Sequence, residues 1–271
     1  MKRTVLITGT STGIGKSAVK KFHAEGWNVI ATMRNPEAGK ELAQLDNVLV
    51  AELDVTKIET IESAIESGIE EFETIDVVIN NAGYGTMGPL EGASEELMKH
   101  IFEVNVFGVA RVTKAILPHM RGNNSGLIVN ISSIVGRATF PYQALYHSTK
   151  HALEGLTEDL QYELRPLGIR VKLVEPGGVN TEFLNSIAYT EVDGIKEYEP
   201  GLEKYYKAIK NYTPEMLSTS EQIADVVFEA STDDSNTLRY LAGEDAKQTQ
   251  QARSNMSDEE FYQMMKDQFK L

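Results

Sequence analysis

Unbroken aliphatic runs alternate with segments of helical period along most of the chain. Thr4–Thr8 reads as a buried strand, and Gly13–Glu25 as a helix with Ile14, Ala18, Val19 and Phe22 on one face and Gly26 suited to its C-terminal cap. Val29–Thr32, Val48–Leu53, Asp76–Asn80, Leu127–Ser132 and Ile169–Glu175 read as further strands. Between them Pro36–Leu45, Ile58–Phe72, Glu95–Arg121 and Ala144–Arg165 read as helices, the third irregular near Gly108. These strands lack apolar–polar alternation, which implies burial on both faces. Strands of that kind separated by helices predict an α/β fold, a doubly wound parallel sheet with helices on both sides. Beyond Pro176 the pattern weakens. Thr181–Thr213 shows no clear period and carries Tyr189, Tyr198, Tyr205, Tyr206 and Tyr212. Ser220–Ala230 is again helical, Leu238–Leu241 is a candidate for a seventh strand, and Ser257–Phe269 is a helix opened by a Ser257…Glu260 capping box.

The 271 residues, 41% of them apolar, suit one domain spanning the whole chain. A net charge of −14 disfavours nucleic acid and anionic membrane surfaces as partners, though not a small anion held locally. With no cysteine, disulfides, thiolate chemistry and cysteine-ligated metal are excluded. The start, Met1-Lys2-Arg3-Thr4 running into Val5-Leu6-Ile7, is too short an apolar run for a signal-peptide core, so a soluble cytoplasmic protein is expected.

Between the first strand and the first helix stands Thr8-Gly9-Thr10-Ser11-Thr12-Gly13-Ile14-Gly15. A pyrophosphate needs backbone N–H groups aimed at it, the positive end of a helix dipole and no side chains in the way, and glycines at a strand-to-helix turn meet all three needs. The spacing is G-x-x-x-G-x-G, so the general dinucleotide fingerprint applies in logic and not in letter. The same glycines would also suit a tight turn that binds nothing. At the end of the second strand, Met33 occupies the position where an NAD site wants a carboxylate for the ribose hydroxyls. Arg34 follows, and its guanidinium suits a 2′-phosphate, so NADP(H) is favoured with NAD(H) as the alternative.

Tyr146 and Lys150 lie four apart in a helical segment and share a face, while Ser132 and Ser133 end the fifth strand at the carboxyl edge of the sheet. A tyrosine that moves protons near neutral pH needs its pKa brought from about 10 to about 7, roughly 4 kcal/mol. One cation about 4 Å away supplies that magnitude at an effective dielectric of 20, with desolvation opposing it.

Taken together, these residues resemble the short-chain dehydrogenase/reductase family, non-extended branch. The matching positions are Thr8-Gly9-x-x-x-Gly13-x-Gly15, Asp54-Val55, Asn80-Asn81-Ala82-Gly83, Asn105, Ser133, Tyr146-x-x-x-Lys150 and Pro176-Gly177-x-x-x-Thr181. The resemblance implies that Gly9, Gly13, Ile14 and Gly15 bind the pyrophosphate and that Asp54 and Val55 bracket the adenine. Asn81 and Ala82 would line the adenine-side ribose, with Gly83 allowing close backbone approach. Tyr146 would be the general acid/base, Lys150 would lower its pKa and hold the nicotinamide ribose, and Ser133 would position the substrate oxygen. Asn105 would place a water in a proton relay to Lys150. Pro176, Gly177, Val179 and Thr181 would fix the nicotinamide. Where Thr12 stands some NADP-using members carry a base, so here the Ser11 and Thr12 hydroxyls would have to serve. The runs Val29–Pro36 and Asn80–Gly85 are similar to the subgroup that includes 17β-hydroxysteroid and retinol dehydrogenases, which implies a bulky apolar carbonyl or alcohol substrate.

Weaker features complete the reading. His147 and His151 have a zinc-compatible spacing but no third ligand, so no metal is expected. The segment 181–213 is expected to act as a substrate lid, and Tyr84, Met87, Phe140 and Tyr142 could line the pocket. Glu66–Glu73 reads as a solvated helix face. Ser257–Leu271 could dock on its own domain or on a neighbouring subunit, and by family analogy Glu95–Arg121 and Ala144–Arg165 would form a homodimer or homotetramer interface. The rival to an enzyme is a non-catalytic NADP(H)-binding regulator; a third reading keeps the cofactor and changes the reaction, as in an epimerase or dehalogenase.

Overall fold

The computed structural model describes residues 2–191 and 194–271. Seven strands, β1 (Thr4–Thr8), β2 (Asn28–Met33), β3 (Val48–Glu52), β4 (Val77–Asn80), β5 (Gly126–Ile131), β6 (Ile169–Pro176) and β7 (Arg239–Ala242), form one sheet of order β3-β2-β1-β4-β5-β6-β7. Every pairing in it is parallel. The chain runs outward from β1 to β3 and then crosses back to β4, so the carboxyl ends of β1 and β4 flank a topological switch point, the usual ligand crevice of such sheets.

Burial on both faces has a plain cause in the strands. Val5 and Ile7 face a core shared with helices α1 (Gly13–Ala24) and α7 (Ser220–Thr232), while Leu6 faces α2 (Ile58–Phe72), α4 (Val109–Gly122) and the far end of α5 (Ala144–Leu164). Phe22 is a keystone of the first core, fully buried with its ring 5.1 Å from both Trp27 and Phe228. Phe22→Ala is therefore expected to cost about 3–5 kcal/mol of unfolding free energy, read by denaturant titration.

Elsewhere the structure departs from the periodicity. Pro36–Leu45 is not a regular helix but two 3₁₀ turns, Pro36–Gly39 and Leu42–Gln44. Gly39 in the first of them packs so closely on β2 and β3 that a Cβ there would sit 2.6 Å from Met33 Cε and 2.9 Å from Val50 Cγ1. The long third helix divides into α3 (Glu95–Phe102), a π-helical turn at Glu103–Gly108, and α4. At Gly108 a Cβ would meet Val55 Cγ2 at 2.7 Å, which accounts for the glycine at that break.

The aperiodic 181–213 stretch holds a helix, α6 (Glu199–Lys210); its residues Val192 and Asp193 lie outside the described residues. A polar helix, α8 (Glu244–Asn255), follows β7, and α9 (Asp258–Phe269) carries the capping box at Ser257 and Glu260. α9 docks on its own chain, burying Phe261, Met265 and Phe269 against Tyr205, Met87 and Ala138. Among the described residues no helix is long and apolar enough to cross a membrane.

Candidate active site

The loop joining β1 to α1 is held open for a ligand by its backbone. Gly9 and Gly13 have φ values of +71° and +56°, a region side chains seldom enter, and a Cβ on Gly9 would lie 2.9 Å from Ala82 Cα. Gly15 also serves the packing of this loop. It lies outside the cleft lining, and a Cβ there would meet Gly9 O at 2.3 Å and Asn81 Nδ2 at 2.5 Å, so it permits packing of loop on loop. Asn81 Nδ2 donates to Thr8 O (2.8 Å) and Gly9 O (2.9 Å), tying the end of β4 to the glycine loop. Thr12, the N-cap of α1, makes no side-chain cap, and the first turn holds no acid. The first amides of α1 are thus left without a side-chain acceptor at the positive end of the dipole, where a pyrophosphate fits.

A cleft of about 900 Å³ runs from this loop along the carboxyl edge of the sheet. Gly9, Ser11, Thr12, Gly13 and Ile14 line its phosphate part. Arg34, Asp54, Val55, Asn81, Ala82 and Gly83 line the adjoining part. Met33 is buried beneath the Pro36–Gly39 turn, so no acid ends β2; Arg34 is exposed at the cleft and forms no ion pair among the described residues. Burial pushes the Asp54 carboxyl up, but the Thr56 amide and hydroxyl (3.0 and 2.8 Å) and the charges of Lys57 and Arg34 outweigh it and hold the group below its ordinary value. Pro176, Gly177, Val179 and Thr181 line the far wall. The donors, the glycine cradle and the cation fit a nicotinamide dinucleotide.

Ser133, Tyr146 and Lys150 converge where that cleft meets an apolar chamber. Ser133 stands two residues past the end of β5 and caps the 3₁₀ turn Ile134–Gly136; its Oγ accepts from Val135 N (3.3 Å) and donates to Pro176 O (3.1 Å). Tyr146 lies in the first turn of α5 and lines the same part of the cleft as Ser133. Lys150, one turn on, is buried, donates from Nζ to Ile131 O at 2.8 Å, and sits 5.8 Å from the Tyr146 ring centroid.

The expected lowering of the Tyr146 pKa by Lys150 does not hold in the protein alone: burial raises it well above the ordinary tyrosine value, and the Ser133 side chain only partly offsets this. Burial also draws Lys150 down to about 8, Glu154 opposing it. Lys150 is thus still charged at neutral pH and loses its charge just above it. Its folded pKa lies below the unfolded one, so the penalty on folding is full below about pH 8 and fades as pH rises toward the ordinary lysine value. Lys150→Met is expected to raise unfolding free energy at pH 7 by about 2 kcal/mol, net of the lost Ile131 hydrogen bond, with no gain above about pH 10.5. Denaturant titration at the two pH values checks the sign.

Asn105 lies in the π-helical turn and outside the cleft. Its Oδ1 accepts from Tyr84 N (3.1 Å), and its Nδ2 donates to Tyr84 O (2.9 Å) and Thr149 Oγ1 (3.1 Å). With both amide hydrogens used, the side chain clamps the wall to α5. His147 is buried and, chiefly by burial, drawn down to about 3, so it stays neutral; His151 is exposed. Among the described residues no three or more His, Asp or Glu gather as a metal site.

The chamber is lined by Met87, Phe140, Tyr205, Ile209 and Phe269, with Phe183 stacked at a tilt on Tyr146 (5.8 Å between ring centroids). Tyr84 also lines it; Tyr142 does not, packing instead against Tyr205 at 5.4 Å. The sequence reading missed two contributors. Phe269 reaches the chamber from α9, and Asp245 at the start of α8 accepts from Gly178 N at 2.6 Å and so braces the Pro176–Thr181 loop.

Comparison with known proteins agrees with this geometry. The family model for short chain dehydrogenase matches residues 3–191. An uncharacterized oxidoreductase of Schizosaccharomyces pombe is 41% identical over 235 residues, covering 84% of this chain and 96% of its own. Retinol dehydrogenase 8 of Bos taurus is 38% identical over 220 residues, covering 76% of this chain and 68% of its own. Among solved structures, ElxO with NADP bound is 32% identical, with a TM-score of 0.73 over 89% of this chain and 98% of that one.

Proposed function

The chain belongs to the short-chain dehydrogenase family of nicotinamide-dependent oxidoreductases, and from that premise we propose that it is an NADPH-preferring reductase of bulky apolar ketones or aldehydes. The observation that carries this reading is the meeting of Ser133, Tyr146 and Lys150 between a dinucleotide-shaped cleft and an aromatic chamber. Arg34, unpaired among the described residues at a strand end without an acid, supports a 2′-phosphate, with the Ser11 and Thr12 hydroxyls beside it.

A bound nicotinamide supplies or accepts the hydride. Tyr146 Oη gives its proton to the substrate oxygen, and Ser133 Oγ turns from Pro176 O to donate to that oxygen as charge develops. The charged Lys150, anchored on Ile131 O, stabilises the tyrosinate left behind. Burial keeps Tyr146 protonated at neutral pH, which favours reduction over oxidation there. The reductive rate is expected to hold through neutrality and to fall as pH rises through about 8, where Lys150 loses its charge.

The reading is tested by titrating NADPH and NADH against the protein and assaying apolar ketones and aldehydes beside small polar ones. Tighter NADPH binding and turnover restricted to apolar carbonyls are expected; tight binding with no turnover would point to a regulatory binder. Exposed Phe107, between α3 and α4, and exposed Tyr162 on α5 support self-association through these helices as a homodimer or homotetramer. Light scattering tests that, a monomer at micromolar concentration counting against it.

A further inference from the structure

On the α5 side of the sheet, directly behind the catalytic edge, two acids share a buried site. Glu175, next to the end of β6, is fully buried, and Glu154, one turn beyond Lys150 on α5, is 6% exposed. Arg239 of β7 reaches both: its Nε lies 2.9 Å from Glu154 Oε2 and 3.3 Å from Glu175 Oε1, and its Nη2 lies 2.6 Å from the exposed Glu158. Arg137, just past the Ile134–Gly136 turn, stands 4.0 Å from Glu175. No other charged group approaches Glu175 among the described residues, and Lys150 is the further cation that senses Glu154.

The polar accounting at this site is incomplete in a specific way. Both Glu175 oxygens and Glu154 Oε1 are buried and make no hydrogen bond among the described residues, Arg239 meeting Glu175 as an ion pair only. The two carboxyl groups nevertheless converge on one nitrogen, Arg239 Nε, at 2.9 and 3.3 Å. Two buried carboxylates so close repel each other, and one proton held by the pair relieves that repulsion. Burial first, then the charge of Glu154, push Glu175 up to about 8.

The pair also touches the catalytic framework. A Cβ on Gly136 would lie 2.9 Å from Glu154 Cγ, 3.0 Å from Ser132 Oγ and 3.1 Å from Lys150 O, so Glu154 packs where α5 meets the Ser132 turn. The residues flanking Ser132 are Ile131, whose carbonyl holds Lys150, and Ser133, which lines the cleft with Tyr146.

We infer that Glu154 is a positioning residue for Lys150: Glu154 and Glu175 hold one proton between them, and the single negative charge left on the pair keeps the lysine an ammonium at neutral pH. The inference rests on the oxidoreductase reading for its kinetic consequence only. Removing the charge at Glu154 leaves Glu175 free to ionise farther from the lysine. Replacing Glu175 by its neutral isostere leaves the charge on Glu154.

The experiment compares wild type, Glu154→Gln and Glu175→Gln by the pH profile of reductive kcat, with circular dichroism to verify folding. Glu154→Gln is expected to move the alkaline limb down by on the order of one pH unit, while Glu175→Gln keeps it in place. Equal displacement in both variants, or none in Glu154→Gln, would overturn the proposal. If Glu154→Gln does not fold, Glu175→Gln still decides, since a limb displaced downward in it contradicts a charge held on Glu154. Infrared spectra at neutral pH give a readout independent of turnover. Wild type is expected to show one buried protonated carboxyl that Glu175→Gln removes, and its absence in wild type would overturn the shared proton even if no substrate were turned over.

Discussion

Tyr146→Phe is expected to bind NADPH as wild type does and to lose about 10³-fold in reductive kcat. The substitution removes one oxygen and leaves a ring of the same outline, still stacked on Phe183 and beside His147. What disappears is the hydroxyl that the proposed reaction uses to hand a proton to the substrate oxygen, at the part of the cleft it shares with Ser133. General acid catalysis by a positioned side chain contributes about 10²–10⁴-fold, and the Ser133 hydroxyl that remains can still donate a hydrogen bond but cannot complete the transfer. Steady-state assays with parallel cofactor titration separate the two effects. A variant that kept a tenth or more of the wild-type rate would remove Tyr146 from the proton's path.

Arg34→Asp is expected to reverse the cofactor preference. The guanidinium stands exposed at the cleft without an ion pair among the described residues, close enough to Asp54 to lower that carboxyl's pKa. Losing a charge-assisted contact to a 2′-phosphate costs about 1.5–3 kcal/mol, and an acid in its place adds repulsion. The same acid can accept from the two free hydroxyls of a non-phosphorylated ribose. The ratio of kcat/KM for NADPH over NADH should therefore fall on the order of 100-fold or more. An unchanged ratio would transfer phosphate recognition to Ser11 and Thr12.

The sheet was legible because its strands are unbroken aliphatic runs, a pattern that only burial on both faces explains. Each main-sheet strand falls within two residues of its expected bounds. Ser133, Tyr146 and Lys150 stood out through the family resemblance, since a four-residue Tyr–Lys spacing alone fits many solvated helix faces; the structure brings the three to one cleft. Other features were hidden for identifiable reasons. In α6 the stripe Leu202, Tyr205, Tyr206, Ile209 has helical spacing, but Pro200 and Gly201 in the first turn and the tyrosines themselves read as loop. In α8 only Ala246 is buried, so the helix has no apolar face to find, and Asp245 with its hold on Gly178 was invisible. Gly39 looked like a tolerable helix residue because its close approach to Met33 is a tertiary fact. The Glu154–Glu175 pairing was hidden because nothing local says that β7 will bring Arg239 against both.

The most direct test of hydride transfer uses NADPH deuterated at the transferable position of the nicotinamide, with an apolar ketone or aldehyde that supports turnover, and follows the label by mass spectrometry. The expected result is one deuterium on the carbinol carbon of the product, with oxidised cofactor formed in equal amount and neither formed by Tyr146→Phe. Cofactor that binds but is not consumed, with no deuterium in any product across the panel, would contradict the assignment of this site to carbonyl reduction.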